Sequence, residues 1–453
     1  MLTQFQSQSE LLGPTQQLAN YIANFPSANI SSSAREEASK GVLNWLGCCL
    51  GGSQSQAINS ALLGLRATFG PPAAGIYGKR LRTDVLNAAL FNGIASHVLD
   101  FDDTHSKTMH PSAPILPAVF ALAEANNSSG SELLDAYIIG VDSAIRIAMS
   151  VTPEHYLQGW HITATAGVFG SAAAASRLLK LNAEQTAHAL GLAATQASGL
   201  RFTFGTMAKS MHAGQAARNG LLSALLASSG FTAGTSSIET KNGFGAVMSN
   251  RFDPEQLTAD LGQRFEIEGN MYKPYPCGLV LHAAIFAVLE LRKKRPCPWQ
   301  NIASIEATVG PLVQELTAIP NPTNALQSKF SIFHALAVAA IRRSATVADF
   351  DDAAVIDRDI QQLRQHIHLK VSSGMHKQEA FVRIFYHDGF QEELHVPRAP
   401  GSLDLPLTKE MLENKFLNLS SSRISQAQQL DILQIYLTVG ELDSLDRLFD
   451  ALH

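Results

Sequence analysis

The sequence predicts a mostly helical protein with an α/β part in its second half. Three observations predict it. Up to about residue 268, apolar residues recur at helical spacing between capping and breaking residues. From there to about Ala399 the pattern changes. Ile302–Val309, Ile367–Ser372, Ala380–His387 and Phe390–Val396 read as strands, and Asp388-Gly389 is a hairpin signal. From Thr408 to His453 helical spacing returns, and Leu445, Leu448, Phe449 and Leu452 form an apolar stripe suited to docking on the first part.

The totals set limits. A chain of 453 residues predicts two or three domains. With 46% hydrophobic and only 16% charged residues, it predicts a large interior and a sizeable subunit interface. A net charge of −5 argues against a nucleic-acid partner, so positive charge for an anionic ligand has to be local. Cys48, Cys49, Cys277 and Cys297 contain no Cys-x-x-Cys pair, which argues against a disulfide frame, a zinc site or an iron–sulfur cluster. Met1–Ser9 is polar and lacks the pattern of a leader, and no apolar run reaches membrane-spanning length. The expectation is a soluble cytoplasmic protein with no membrane partner.

In chain order, Pro14 opens a helix carrying Leu18, Tyr21, Ile22 and Phe25, and Pro26 closes it. Ser33 with Glu36 predicts a capping box before a helix running to Gly51-Gly52. A third helix covers Ala57–Phe69. Thr83 is the expected cap of the next, which ends at His97. Pro111, Pro114 and Pro117 lead into an apolar helix over Ile115–Ala125, and Ser131–Met149 is another. Gly170–Leu179 and a helix capped by Asn182 and Gln185 follow. Gly230–Asn250 reads as a turn-rich connection. In the α/β part, a helix starts near Leu279 and Lys329–Ile341 forms a second.

Three polar insertions interrupt this apolar chain. The first, His97-Val98-Leu99-Asp100-Phe101-Asp102-Asp103-Thr104-His105 with Met109-His110-Pro111-Ser112, packs three carboxylates and three imidazoles between apolar segments. Such groups are costly to bury unless paired, and perturbed ionisable groups gather at functional sites; turn capping is the simpler alternative. Nearby, His161 is the lone titratable group between Tyr156 and Arg177, read either as a core histidine or as a catalyst. The second insertion places Lys209 and His212 on one helix face. The third is Lys273-Pro274-Tyr275-Pro276-Cys277-Gly278, an extended lysine-bearing loop before a helix that carries His282.

These insertions resemble the MmgE/PrpD family, which includes 2-methylcitrate dehydratase, cis-aconitate decarboxylase and iminodisuccinate epimerase. The resemblance spans nearly the whole chain. It rests on His97-Val98-Leu99-Asp100-Phe101-Asp102-Asp103-Thr104 with His110-Pro111-Ser112, on Gly159-Trp160-His161, on Lys209 with His212-Ala213-Gly214, on the Lys273–Gly278 loop and on Lys329-Phe330-Ser331. It implies a large helical domain formed by residues 1–268 and 405–453, and a smaller α+β lid at 269–404. It also implies a homodimer, no metal or organic cofactor, and a small di- or tricarboxylate substrate in the cleft between domains. The catalytic positions it implies are Asp100, Thr104, His110, His161, Lys209 and Lys273. His212, Tyr275, His282 and His334 are expected to help bind the substrate. Two positions depart from the decarboxylase branch. His334 stands where a tyrosine is common, and Gly278 stands where a histidine is common. The expected reaction is therefore dehydration of 2-methylcitrate or a related alkylcitrate, with decarboxylation, epimerisation of a dicarboxylate and non-catalytic carboxylate binding as alternatives.

Overall fold

The computed structural model of the chain describes residues 12–453. Met1–Ser9, read above for a leader, lies outside the described residues. The chain is mostly α with an α/β part. No helix among the described residues is long and apolar enough to cross a membrane.

Two apolar cores organise the molecule. The larger joins helices Ser32–Gly52, Val85–His97, Ser112–Asn126, Gly130–Val151, Gly167–Leu178 and Met207–Ser228 with residues from the C-terminal tail, among them Phe416, Leu448 and Leu452. The expected tail stripe is buried in it: Leu445, Leu448 and Leu452 are each 2% exposed. The tail helix Lys409–Ser420 packs along Ser32–Gly52.

The second core lies between Cys277 and Ala399. Four short strands precede it in the chain, β1 (Ala74–Ile76), β2 (Leu81–Thr83), β3 (Thr104–His105) and β4 (Asn270–Met271). Its own sheet contains β5 (Ile302–Val309), β6 (Ile367–Val371), β7 (Ala380–Tyr386) and β8 (Gln391–Val396), in the order β6-β5-β7-β8. β5 and β6 run parallel and the other pairs antiparallel. β7 alternates buried and half-buried residues, as a sheet covered on one face requires. Helices His282–Lys294 and Ile332–Arg342 lie against each other within this unit, and the first also packs on β7 and β8.

Several sequence expectations move. Ser31, not Ser33, caps its helix, accepting from Ala34 N at 3.1 Å, while Ser33 donates to Glu268 at 2.6 Å. Asp84, not Thr83, caps Val85–His97, because its Oδ1 accepts from the amides of both Leu86 (3.1 Å) and Asn87 (3.0 Å). Helix Ser112–Asn126 begins three residues before Ile115, and Pro114 sits in its first turn, where a missing N–H leaves no bond unmade. Ser331 caps the helix expected from Lys329, so Lys329 and Phe330 precede it. The β1–β2 hairpin, the β3–β4 pair and helices Pro311–Thr317, Asp352–Ile356 and Arg358–Arg364 were not anticipated; each is too short to show a period.

Candidate active site

Two helices meet where glycine allows their backbones to touch. A Cβ at Gly93 would lie 2.5 Å from Gly214 Cα, and one at Gly214 would lie 2.3 Å from Leu90 O. Any larger residue would push helices Val85–His97 and Met207–Ser228 apart. This crossing brings His97, at the end of one helix, to Lys209, in the first turn of the other: Lys209 Nζ is 3.0 Å from His97 Nε2.

The chain then turns sharply. Asp100 has φ of 51°, a left-handed conformation that aspartate tolerates better than most residues. Its Oδ1 accepts from Lys209 Nζ and Lys273 Nζ, each at 3.0 Å. Lys273 Nζ also donates to Asp100 O at 2.9 Å and Cys277 O at 3.2 Å. Burial alone would raise the Asp100 carboxyl. The two ammonium groups outweigh it and hold the carboxyl well below the usual carboxylate range. Pairing of Thr104 with Met271 and of His105 with Asn270 then ties this turn to the start of the loop that carries Lys273.

Asp102 and Asp103 hold the imidazoles and the turn. Asp102 Oδ2 lies 2.9 Å from His97 Nδ1 and 3.2 Å from His110 Nδ1. Burial lowers the His97 pKa to about 4, so its ring is neutral; Nδ1–H donates to Asp102 and Nε2 accepts from Lys209. His110 Nδ1 donates to Asp103 O at 2.8 Å, with Thr104 Oγ1 3.3 Å away. Its Nε2 is 3.9 Å from Asp100 Oδ1. Asp103 accepts from Ser112 Oγ and from Asn270 Nδ2 (2.6 Å), and burial pushes its carboxyl up to about 7.

His161 faces this cluster from the other side. Its ring stacks on His97 with centroids 5.9 Å apart, and its Nδ1 is 2.9 Å from His212 Nδ1. Burial, reinforced by Lys209, holds His161 well below the ordinary histidine range; burial also lowers His212, to about 4. Two neutral rings that share one proton through Nδ1 adopt opposite tautomers, so His161 Nε2 is set by the state of His212.

These groups open onto a cavity of about 310 Å³ between the helical part and the α/β part. Asp100, Thr104, His110, His161, Lys209 and Lys273 all stand on its wall. The other four expected residues do not. His212 acts behind His161. Tyr275 packs on the His282 ring at 5.3 Å. His282 Nε2 faces Cys277 O at 3.4 Å, and His334 Nε2 faces Asp349 O at 2.8 Å; both rings are fully buried in the α/β part. Burial lowers them to about 3 and about 4. Gly278, in contrast, lies on the cavity wall.

Sequence reading missed several groups. Lys377 and Lys107 also face the cavity. Lys329, quoted above as part of a motif but not as a site residue, is lowered to about 8 by burial and donates to Pro276 O at 3.0 Å. Lys415 reaches in from the tail helix, donating to Phe101 O (2.6 Å) and Lys273 O (3.0 Å). His97 and Asp102 stood inside the first insertion, but their pairing with Lys209 and His110 is made in space and leaves no spacing signal. His97, Asp102 and His110 are also the donor set among the described residues best suited to a cation. Their separations are hydrogen-bond distances, and Asp102 is shared by two imidazoles.

Comparison with known proteins gives matches over most of the chain. The MmgE/PrpD N-terminal domain matches residues 16–257 and the MmgE/PrpD C-terminal domain matches residues 275–439. A cis-aconitate decarboxylase of Aspergillus terreus is 26% identical, over 97% of this chain and 96% of its own. The cis-aconitate decarboxylase of Homo sapiens is 24% identical, over 95% and 92%. A cis-aconitate decarboxylase-like protein of Aspergillus oryzae is 28% identical, over 62% of each chain.

Proposed function

The chain belongs to the MmgE/PrpD family and is an enzyme of the lyase type; from that premise we propose that it dehydrates a small alkyl-substituted tricarboxylate, such as 2-methylcitrate, by acid–base chemistry of its own side chains. The observation that carries this reading is the charge on the cavity wall. Lys107, Lys209, Lys273 and Lys377 face it beside the rings of His110 and His161, with one carboxylate, Asp100, which already bridges two of the lysines. Such a wall attracts carboxylates and stabilises negative charge that develops on them.

Removing a proton from carbon beside a carboxylate needs a placed base. His161, neutral and open to the cavity, is that base. Lys209 and Lys273, oriented by Asp100, steady the carboxylate as charge moves onto it. His110, carrying a proton on each nitrogen with Nδ1–H held by Asp103 O, gives its Nε2 proton to the departing hydroxyl, which leaves as water while the carbon–carbon double bond forms. Thr104 hydrogen-bonds the substrate. Lys273 belongs to the lid side, so closure of the cleft tightens its grip.

Decarboxylation is the second reading, favoured by the names of the relatives. The test is one NMR experiment in D₂O with citrate, 2-methylcitrate, cis-aconitate and iminodisuccinate. Water loss from 2-methylcitrate supports dehydration. CO₂ release from cis-aconitate replaces it with the second reading, and deuterium uptake without an alkene replaces both with epimerisation. The family reading also carries a homodimer, for which sedimentation at twice the chain mass is the expected result.

A further inference from the structure

Part of the cavity lining is apolar. Helix Pro311–Thr317 presents Leu312 and Leu316, one turn apart, to the cavity. Residues Leu279 and Val280 lie beside that helix and face the same space. Leu157 comes from the helical part and is 64% exposed. Arg201 holds these pieces together across the cleft. It donates to Tyr156 O and to Glu315 Oε1, each at 2.7 Å, and its guanidinium lies 3.8 Å over the Tyr156 ring.

This apolar wall begins where the cationic floor ends. Lys273 Nζ donates to Cys277 O, and the next residue is Gly278. A Cβ there would meet Lys329 O at 3.6 Å and Thr317 Cγ2 at 3.8 Å, ordinary contact distances, so glycine leaves space that a side chain would fill. A cavity of about 310 Å³ is larger than a six-carbon tricarboxylate requires, since pockets of about 300–1,000 Å³ take drug-sized ligands. Carboxylates placed against leucine lose hydration without gaining a partner, so the extra volume favours hydrocarbon.

We propose that the Leu157–Leu312–Leu316 wall receives an alkyl chain longer than methyl, which makes the substrate an alkyl-substituted di- or tricarboxylate and these leucines its chain-length determinants. The proposal rests on the carboxylate-binding reading above, but not on which reaction follows.

The test is calorimetric binding of 2-methyl-, 2-propyl- and 2-hexylsuccinate to the full-length protein. Each methylene that enters the wall tightens Kd about fourfold, so propyl binds more than tenfold tighter than methyl. Leu316→Glu flattens that series. Equal or weakening affinity from methyl to propyl in the parent protein overturns the proposal, whatever the variant does. The outcome is separate from the reaction test. A rising series with no turnover of any tricarboxylate removes the dehydratase reading and keeps this one, and a flat series with turnover of 2-methylcitrate removes this one alone.

Discussion

The helical part and the α/β part each bury histidines, but with different partners. His97 and His110 share the Asp102 carboxylate, and His97 also accepts from the Lys209 ammonium. His282 and His334 each face a backbone carbonyl and keep one ring nitrogen, Nδ1, without a partner. The first pair joins a charged network that opens on a cavity; the second fills a closed core. Burial depresses His97, His282 and His334 alike. A lowered histidine pKa is therefore no sign of function by itself. Charged neighbours and access to a ligand make the difference.

The largest expected effect breaks that comparison on the helical side. Lys209→Ala and His161→Ala each lower turnover at least about a hundredfold, the scale of losing a preorganised charge in the first case and an acid–base group in the second, with circular dichroism unchanged. His334→Gln leaves kcat near that of the parent protein. Near-parental kcat for both site variants on the true substrate would remove them from the chemistry.

A smaller effect tests whether the charged network depends on the tail. Lys415→Met leaves the carbonyls of Phe101 and Lys273 unpaired in a buried setting, at about 1–3 kcal/mol each. The denaturation midpoint falls. kcat falls with it, because the Asp100 turn and the Lys273 loop lose the donor they share. Lys415→Arg restores part of both. A loss of stability with unchanged kcat would make Lys415 merely structural.

How much of this was legible in the sequence follows from the same contrast. Asp100, His110, His161, Lys209 and Lys273 stood out because charge is rare in this chain, and all five line the cavity. His282 and His334 entered through the family resemblance and do not, since a sequence shows which residue is present but not which way its ring faces. The strands β5 to β8 were legible from alternation. The β3–β4 pair was not, because two residues carry no period, yet it joins the site turn to the start of the Lys273 loop. Lys415 lies 142 residues from Lys273, and nothing local marks a lysine that will be buried by tertiary packing.

The smallest effect sharpens the comparison on the α/β side, through pH. An unfolded histidine titrates near 6.5, whereas burial lowers His282 to about 3. Above about pH 6.5 both states carry a neutral ring, and the native preference for that ring is fully present. As pH falls the unfolded chain takes up a proton that the folded chain refuses, so stability is lost progressively down to about pH 3. His282→Gln removes that uptake. Between about pH 6 and 4 the slope of unfolding free energy against pH is then shallower than in the parent by up to one proton, about 1.4 kcal/mol per pH unit. Denaturant titrations of the two proteins at matched pH values measure it. The substitution leaves Asp100 with its two lysines and Asp102 with its two histidines in place, so the pH profile of kcat keeps its shape while the stability profile changes. Parallel stability slopes would mean that the second core admits a charged His282, and the distinction between the closed core and the open network would fail at that residue.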